Sequence, residues 1–156
     1  MSEIIYTTLN DLIINNPNQI ELIKDQYLLL LSDLTSTNYI ETELFLENIK
    51  KITDIGEIII GIINNESSTF DIVASGTIII EPKIIRDGKK VGHIEDIVVS
   101  KEMRGKGISQ EILSKLELIA KLNNCYKIIL DCDNGVKKVY MKSGFNVKGL
   151  QMAKYF

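Results

Sequence analysis

The stretch RGKGIS, residues 104–109, places two glycines and two cations between an apolar run and an amphipathic run. If a strand precedes this loop and a long helix follows it, the unpaired N–H groups of that helix start face the loop. The helix dipole and the side chains of Arg104 and Lys106 would attract an anion. Gly105 and Gly107 let a ligand approach the backbone closely. The loop therefore predicts a pyrophosphate cradle, with a solvated surface turn as the alternative.

The spacing of these glycines excludes two familiar phosphate-binding motifs. A Walker loop requires GxxxxGK[ST], and Gly105-Lys106-Gly107 is too compressed for it. A dinucleotide fingerprint requires GxGxxG, and Gln110 occupies its third glycine position. The loop alone does not identify the phosphate compound that it binds.

Three carboxylates form a second group of candidate residues. Glu95 and Asp96 interrupt the apolar run HIEDIVV, and Asp131 ends the run IILD. Neighbouring residues of a regular strand point to opposite faces, whereas ligands of such sheets bind beyond the strand ends. A solvated strand edge is the alternative, but two acids inside an apolar strand are unusual, so we expect a function for them. Asp133 is interpreted as a surface residue and His93 as structural.

Composition excludes several classes of function. The chain has 156 residues, 45% of them hydrophobic, which predicts one domain spanning residues 1–156. The net charge of −3 argues against nucleic acid as the main partner. With one histidine and no CxxC or HExxH spacing, we expect no metal site and no histidine-based triad.

Cysteine placement and hydropathy predict the compartment. Cys125 and Cys132 bracket a predicted strand, too far apart for a disulfide, so we expect free thiols in a reducing compartment. No apolar run reaches membrane-spanning length, and residues 1–10 lack the features of a signal peptide. We therefore expect a soluble cytoplasmic protein that does not insert into membranes.

The hydrophobic periods predict an α/β (α+β) domain with a mixed sheet. A basic link, residues 82–90, contains a turn at Asp87-Gly88 and joins two strands. The predicted helices cover residues 18–34, 41–52, 107–120 and 136–144. The predicted strands cover residues 1–8, 56–63, 70–81, 91–100, 125–132 and 145–156.

The pattern Arg-x-x-Gly-x-Ser at Arg104, Gly107 and Ser109 resembles the acetyl-CoA loop of the GNAT superfamily of N-acetyltransferases, where Gly or Ala stands in the place of Ser109. The element order, with two helices after the first strand, resembles the GNAT fold over nearly the whole chain. The blocks GHIEDIVVS, NCYKIILDCD and VYMKSGF resemble the branch of that family that acetylates the 2-amino group of glucosamine 6-phosphate.

This resemblance implies an acyltransferase that uses acetyl-CoA and no metal, by direct attack in a ternary complex. It implies a homodimer with shared active sites, working towards UDP-N-acetylglucosamine. It also implies a mostly antiparallel sheet, flanked by helices and splayed at the acetyl-CoA site.

The resemblance further assigns roles to individual residues. Asp131 would be the general base, or would only position the amine while water takes the proton. Tyr140 would be the acid that protonates the thiolate, and the Ile97 N–H would donate to the thioester carbonyl, beside Glu95. The implied acetyl-CoA contacts are Ile97, Val98, Val99, Arg104, Gly105, Lys106, Gly107, Ile108, Ser109, Asn134 and Tyr140. The implied acceptor contacts are Thr35, Lys83, Ile84, Ile85, Arg86, Glu95, Asp96, Tyr126, Lys127 and Asp131.

Two other functions stay open at this point. One is a GNAT enzyme for another amine, although an enzyme for a cationic polyamine would not favour Lys83 and Arg86 near its acceptor. The other is a non-catalytic acyl-CoA-binding module, which would not need Asp131 together with Tyr140.

Overall fold

The structure is a computed structural model, and it describes residues 3–65 and 69–156. Five strands and five α-helices cover most of this range. The strands are β1 (Ile4–Thr8), β2 (Gly56–Asn64), β3 (Phe70–Pro82), β4 (Lys90–Val99) and β5 (Cys125–Ile129). The helices are α1 (Leu9–Asn15), α2 (Ile20–Leu31), α3 (Thr42–Ile55), α4 (Ile108–Leu122) and α5 (Lys137–Lys142).

The strands form one open sheet in the order β1-β2-β3-β4-β5. The first four strands pair antiparallel: short connections join β2 to β3 and β3 to β4, whereas helices α1, α2 and α3 lie between β1 and β2. Strands β4 and β5 pair parallel across the α4 crossover. The mixed, mostly antiparallel sheet flanked by helices that the sequence predicted is therefore confirmed.

Each face of the sheet is covered by helices. Ile58, Ile60 and Ile62 of β2 belong to the apolar cluster that includes residues of α1, α2 and α3. Ile59, which points the other way, belongs to the cluster that includes α4. This alternation is the period-two pattern of a strand buried on both faces.

Helix α4 lies very close to the sheet at Gly76. A Cβ atom at Gly76 would lie 2.5 Å from Cδ1 of Ile97 and 2.6 Å from Cγ2 of Ile112. Ile112 is fully buried, so its truncation to Ala would cost about 2–5 kcal/mol of stability. This packing fixes the start of α4 beside the end of β4.

Several sequence predictions need correction. The chain forms an additional helix, α1, directly after β1, with the Thr8 hydroxyl accepting a hydrogen bond from the Asp11 N–H. The strand predicted over residues 145–156 is wrong: the segment has no regular structure and makes no ladder with the sheet. Between the strands predicted over residues 56–63 and 70–81, a turn is expected, and its residues 66–68 lie outside the described residues.

Cys125 and Cys132 are both free thiols in the structure. Within the described ranges, no helix has the length and apolarity that crossing a membrane requires.

Candidate active site

The sheet opens between β4 and β5. Their pairing begins at Lys90 and Cys125 and ends at His93 and Ile129. Strand β5 ends there, whereas β4 continues to Val99. The splay that the resemblance implied is therefore present, and it leaves the second half of β4 without a neighbour on this side.

A β-bulge interrupts β4 in the opened region. Glu95 lies opposite Thr77 and Val98 lies opposite Ser75, so two residues, Asp96 and Ile97, share one position of β3. Asp96 has a positive φ of 52°. A bulge re-aims side chains and frees backbone groups from the ladder.

The bulge does not bring Glu95 and Asp96 to the same place. The negative charge of Asp96 acts on Tyr27 of α2, whose pKa is raised first by burial and further by that charge. Glu95 instead contacts His93. The two acids predicted to line one pocket thus face different surroundings.

A cleft of about 580 Å³ lies beyond the end of β5. It collects three predicted site residues, Asp131, Asn134 and Tyr140, together with the C-terminal segment 145–151. The lining of this cleft within the described chain includes neither Glu95 nor the loop 104–109. The structure therefore joins the predicted base and acid in one cleft, with the glycine loop outside it.

Tyr140 is half-buried on α5, with its ring edge-on to Phe145 at a centroid distance of 6.2 Å. Burial raises the pKa of Tyr140, and the neighbouring Cys132 thiol raises it further. The phenol therefore keeps its proton at neutral pH and can donate it.

The carboxylate of Asp131 contacts two residues that were not predicted for the site. His93 Nε2 lies 3.9 Å from Asp131 Oδ2 and 3.4 Å from Glu95 Oε1. The Gln151 side-chain amide donates to the same Asp131 Oδ2 at 3.3 Å. The interpretation of His93 as merely structural missed this contact. Its spacing of two residues from Glu95 on one strand was the available signal.

The glycine loop leaves its backbone open at the start of α4. Gly105 and Gly107 have positive φ values of 77° and 79°, and a Cβ atom at either would meet nothing within 4 Å. Gly107 is the N-cap of the 15-residue helix α4, and no side chain caps that end. Ser109 donates to the Gln110 side-chain oxygen at 3.3 Å, and Ile108 is buried against the sheet.

The two cations of the loop make contacts within the chain. Arg104 Nε donates to the Val99 carbonyl at 3.1 Å, and Arg104 Nη2 donates to the Asp33 carbonyl at 3.5 Å. Lys106 Nζ lies 3.3 Å from the sulfur of Met103. Both cations thus help to hold the loop in place, and their attraction for an anion stays a prediction.

Asp33 is a further residue that the sequence did not single out. Its carboxylate lies 3.0 Å from Lys101 Nζ and accepts a hydrogen bond of 3.2 Å from the Lys101 N–H. The hydrogen bond from Lys101 is the main cause that lowers the pKa of Asp33. Through these contacts, the segment after α2 holds the segment that leads into the glycine loop.

Three residues of the predicted acceptor site meet at the outer edge of β5. The Arg86 guanidinium lies 5.6 Å from the centre of the Tyr126 ring, and Lys127 Nζ lies 5.5 Å from it. Lys83 is paired with Glu81. None of the hydrogen bonds, ion pairs or ring contacts of the described chain joins Thr35 to this group.

The structure holds Ile84 and Ile85 exposed on the same link, and the turn predicted at Asp87-Gly88 is present. Arg86 and Asp87 both have positive φ in this turn. Among residues 3–65 and 69–156, no group of three or more His, Cys, Asp or Glu side chains is arranged to hold a metal ion.

Sequence comparison assigns the family. The profile of the "Acetyltransferase (GNAT) family" matches residues 26–145. A probable glucosamine 6-phosphate N-acetyltransferase 2 of Oryza sativa subsp. japonica is 47% identical over 85 residues, which cover 54% of this chain. The chain spans about half the length of that rice protein, 51%. The glucosamine 6-phosphate N-acetyltransferase of Arabidopsis thaliana is 37% identical over 127 residues, 81% of this chain and 85% of the relative.

Structural comparison agrees with the sequence. The crystal structure of glucosamine-6-phosphate N-acetyltransferase from Arabidopsis thaliana superposes with a TM-score of 0.82 at 32% identity, covering 99% of both chains. The open sheet, the splay of β4 and β5 and the glycine loop at the start of α4 are the features that position the site. The chain belongs to the GNAT family of acetyltransferases.

Proposed function

We propose that this chain transfers acetyl from acetyl-CoA to the 2-amino group of D-glucosamine 6-phosphate, giving N-acetylglucosamine 6-phosphate. The observation that carries this proposal is the cleft at the end of β5, which holds both Asp131 and Tyr140. The names of the rice and Arabidopsis relatives support the choice of acceptor. The product would enter UDP-N-acetylglucosamine synthesis in the cytoplasm, where two free thiols fit the reducing conditions.

Acetyl-CoA fits the open face of the glycine loop. Its pyrophosphate would lie against the uncapped N-terminus of α4, because Gly105 and Gly107 leave that backbone open. Residues 97–99 of β4, which have no strand partner on the β5 side, offer backbone groups to the pantetheine arm. Asn134 and Tyr140 would contact the thiol end from the cleft.

The side chains of the site fit direct attack by an amine on a thioester. Asp131 takes a proton from the 2-ammonium group, and the free amine then forms a bond to the acetyl carbon. The Ile97 N–H, in the bulge, donates to the developing oxyanion. As the carbon–sulfur bond breaks, the Tyr140 phenol gives its proton to the thiolate, and the second proton of the attacking nitrogen passes to the Tyr140 phenolate, which leaves a neutral amide and restores the phenol. No metal is needed in this sequence of steps.

The cations at the outer edge of β5 suit the phosphate of the acceptor. Arg86 and Lys127 flank the Tyr126 ring, and Arg is well shaped to bind a phosphate with two parallel hydrogen bonds. Lys83 and Thr35 are the further donors that the proposal assigns to the sugar phosphate.

We further propose a homodimer, with no nucleic acid as partner. Ile84 is fully exposed on the basic link, residues 82–90. In the C-terminal segment, Leu150, Met152 and Phe156 are likewise exposed. A second copy would cover these apolar side chains, which lie near the edge strand β5 and the cleft. Tyr126 and Lys127 would then serve the partner's site.

One assay tests the proposed reaction. Acetyl-CoA and glucosamine 6-phosphate are mixed with the protein, and release of the free thiol is followed. We expect turnover with this acceptor and weak turnover with unphosphorylated glucosamine. Arg86→Ala should raise the acceptor KM about tenfold, whereas Lys89→Ala on the same link should not. Normal turnover of another amine, with none of glucosamine 6-phosphate, would contradict the proposed acceptor.

Mixing two inactive variants tests the shared site. Asp131→Asn is combined with the double variant Tyr126→Ala/Lys127→Ala after dissociation and reassembly. If each site uses Asp131 of one chain and Lys127 of the other, about a quarter of wild-type activity returns, because half of the dimers are mixed and each has one intact site. No recovery in a verified mixed dimer would show that each site is built by a single chain.

A further inference from the structure

The single histidine of the chain lies at the point where the sheet opens. His93 and Ile129 form the last residue pair of the β4–β5 ladder. From there, Nε2 of the imidazole reaches Glu95 Oε1 at 3.4 Å and Asp131 Oδ2 at 3.9 Å. These acids come from different segments: Glu95 lies on β4, and Asp131 follows the end of β5.

The contact of His93 with both acids lies where strand pairing no longer fixes their positions. Beyond His93 and Ile129 no ladder hydrogen bond holds the two segments together, and a pair of carboxylates repels. A carboxylate can only accept hydrogen bonds, whereas the imidazole carries N–H donors, and its Nε2 lies within ion-pair distance of both acids. Beyond the end of the β4–β5 ladder, the imidazole ring therefore fixes the distance between the two carboxylates.

We infer that His93 is a positioning residue, which holds Glu95 and Asp131 through Nε2 and so aims the Asp131 carboxylate at the amine. This inference rests on the proposed function, in which Asp131 is the base. His93 does not touch the reacting atoms in this role.

The other contacts of Asp131 agree with this role. Both His93 and the Gln151 amide approach Oδ2 of Asp131. No hydrogen bond or ion pair within residues 3–65 and 69–156 uses Oδ1. One oxygen therefore fixes the carboxylate, and the other is left for the proton of the substrate.

The neighbouring strand supplies a different charged pair. Glu81 of β3 is paired with Lys83, and the hydrogen bond from Lys83 is the main cause that lowers the pKa of Glu81. The charge of His93 adds only the smallest of the effects on Glu81. The Glu81 carboxylate thus has its own partner, and the imidazole is left to Glu95 and Asp131.

Two amide substitutions test which ring nitrogen matters. The amide nitrogen of Gln can occupy the place of Nε2, whereas that of the shorter Asn occupies the place of Nδ1. We expect His93→Gln to keep kcat within about threefold and His93→Asn to lower it about thirtyfold, since small displacements of a reacting group cost that much. The Kd for acetyl-CoA should stay unchanged in both. Equal losses in the two variants, or a change in KM alone, would overturn the inference.

A second measurement does not depend on turnover. Because the chain has one histidine, its Cε1–H proton gives one assignable NMR resonance. At a fixed pH, Asp131→Asn and Glu95→Gln should each move this resonance, and the exposed control Asp54→Asn should not. If neither substitution moves the resonance, the proposed contact of His93 with Glu95 and Asp131 is refuted. If the resonance moves but the wild-type protein does not acetylate glucosamine 6-phosphate, the contact of His93 with the two acids is supported and the proposed acceptor is wrong.

Discussion

The two halves of the candidate site are built by different means. Apart from Asn134 and Tyr140, the half proposed for acetyl-CoA lies in one continuous stretch, residues 97–109, and it consists largely of backbone in special conformations. The half proposed for the amino sugar takes side chains from separate segments, among them Arg86, Glu95, Tyr126 and Asp131. The acetyl-CoA half depends on the path of the backbone, whereas the amino-sugar half depends on the contacts of individual side chains.

This difference determines which substitutions each half tolerates. In the continuous half, most side chains can change as long as the path of the backbone is kept. In the dispersed half, the loss of one functional group removes one contact or one proton acceptor. The apolar side chains near the dispersed half are exposed, whereas Ile108 and Ile112 anchor the continuous half in the core.

The largest effect should come from the base of the dispersed half. We expect Asp131→Asn to lower kcat about 100- to 1,000-fold, because an amide cannot take the ammonium proton. The Kd for acetyl-CoA, measured by calorimetry, should stay within about twofold since the glycine loop is outside the cleft. Asp133→Asn, a neighbouring exposed acid of the same cleft, is the control. Equal losses in both variants would remove Asp131 from the role of base.

Tyr140 should give the next largest effect. Burial raises the pKa of Tyr140, so the phenol stays protonated and able to donate throughout the neutral range. We expect Tyr140→Phe to lower kcat about 10- to 100-fold without loss of stability, because only the hydroxyl is removed. The rate at saturating substrates and the melting temperature are measured together. An unchanged rate would show that solvent protonates the thiolate.

The continuous half was also the easier one to predict. The spacing of Gly105 and Gly107 and the apolar periods on either side placed the loop at the start of a helix, and the structure has it there. The dispersed half depends on strand pairing, so sequence periods alone could not place His93 between two acids. The C-terminal segment was misjudged because apolar residues such as Val147 and Leu150 suggested a strand, yet the described chain supplies no ladder for them.

A backbone substitution should affect the continuous half alone. Gly107→Ala places a side chain at a φ of 79°, which costs about 1–2 kcal/mol for an L-residue, and it crowds the open loop. We expect the Kd for acetyl-CoA to rise about tenfold. Gly88→Ala is the matched control, since Gly88 has a φ of 72° and is equally open. Both variants should lose similar stability, and a similar rise in Kd in both would show that strain, not the loop, is responsible.

The smallest effect should come from the contact that joins the two halves. Asp33, after α2, holds Lys101 by its carboxylate and Arg104 by its carbonyl, so the loop between α2 and α3 and the glycine loop are connected. We expect Asp33→Ala to weaken acetyl-CoA binding and raise the acceptor KM, each about two- to fourfold, the size typical of an exposed ion pair. Asp54→Ala, which removes the exposed pair with Lys50, should change neither.

Because the pKa of Asp33 is lowered, the effect of this contact on binding should depend on pH. The pKa of Asp33 is lowered in the folded chain, mainly by the hydrogen bond from Lys101. A carboxyl with a lowered pKa contributes its stabilisation above its unfolded-state pKa and loses it as the pH falls through the folded-state value. The difference between wild type and Asp33→Ala in acetyl-CoA affinity should therefore be full at neutral pH and disappear in acid. A difference that persists in acid, or that affects only one substrate, would mean that Asp33 does not connect the halves through its charge.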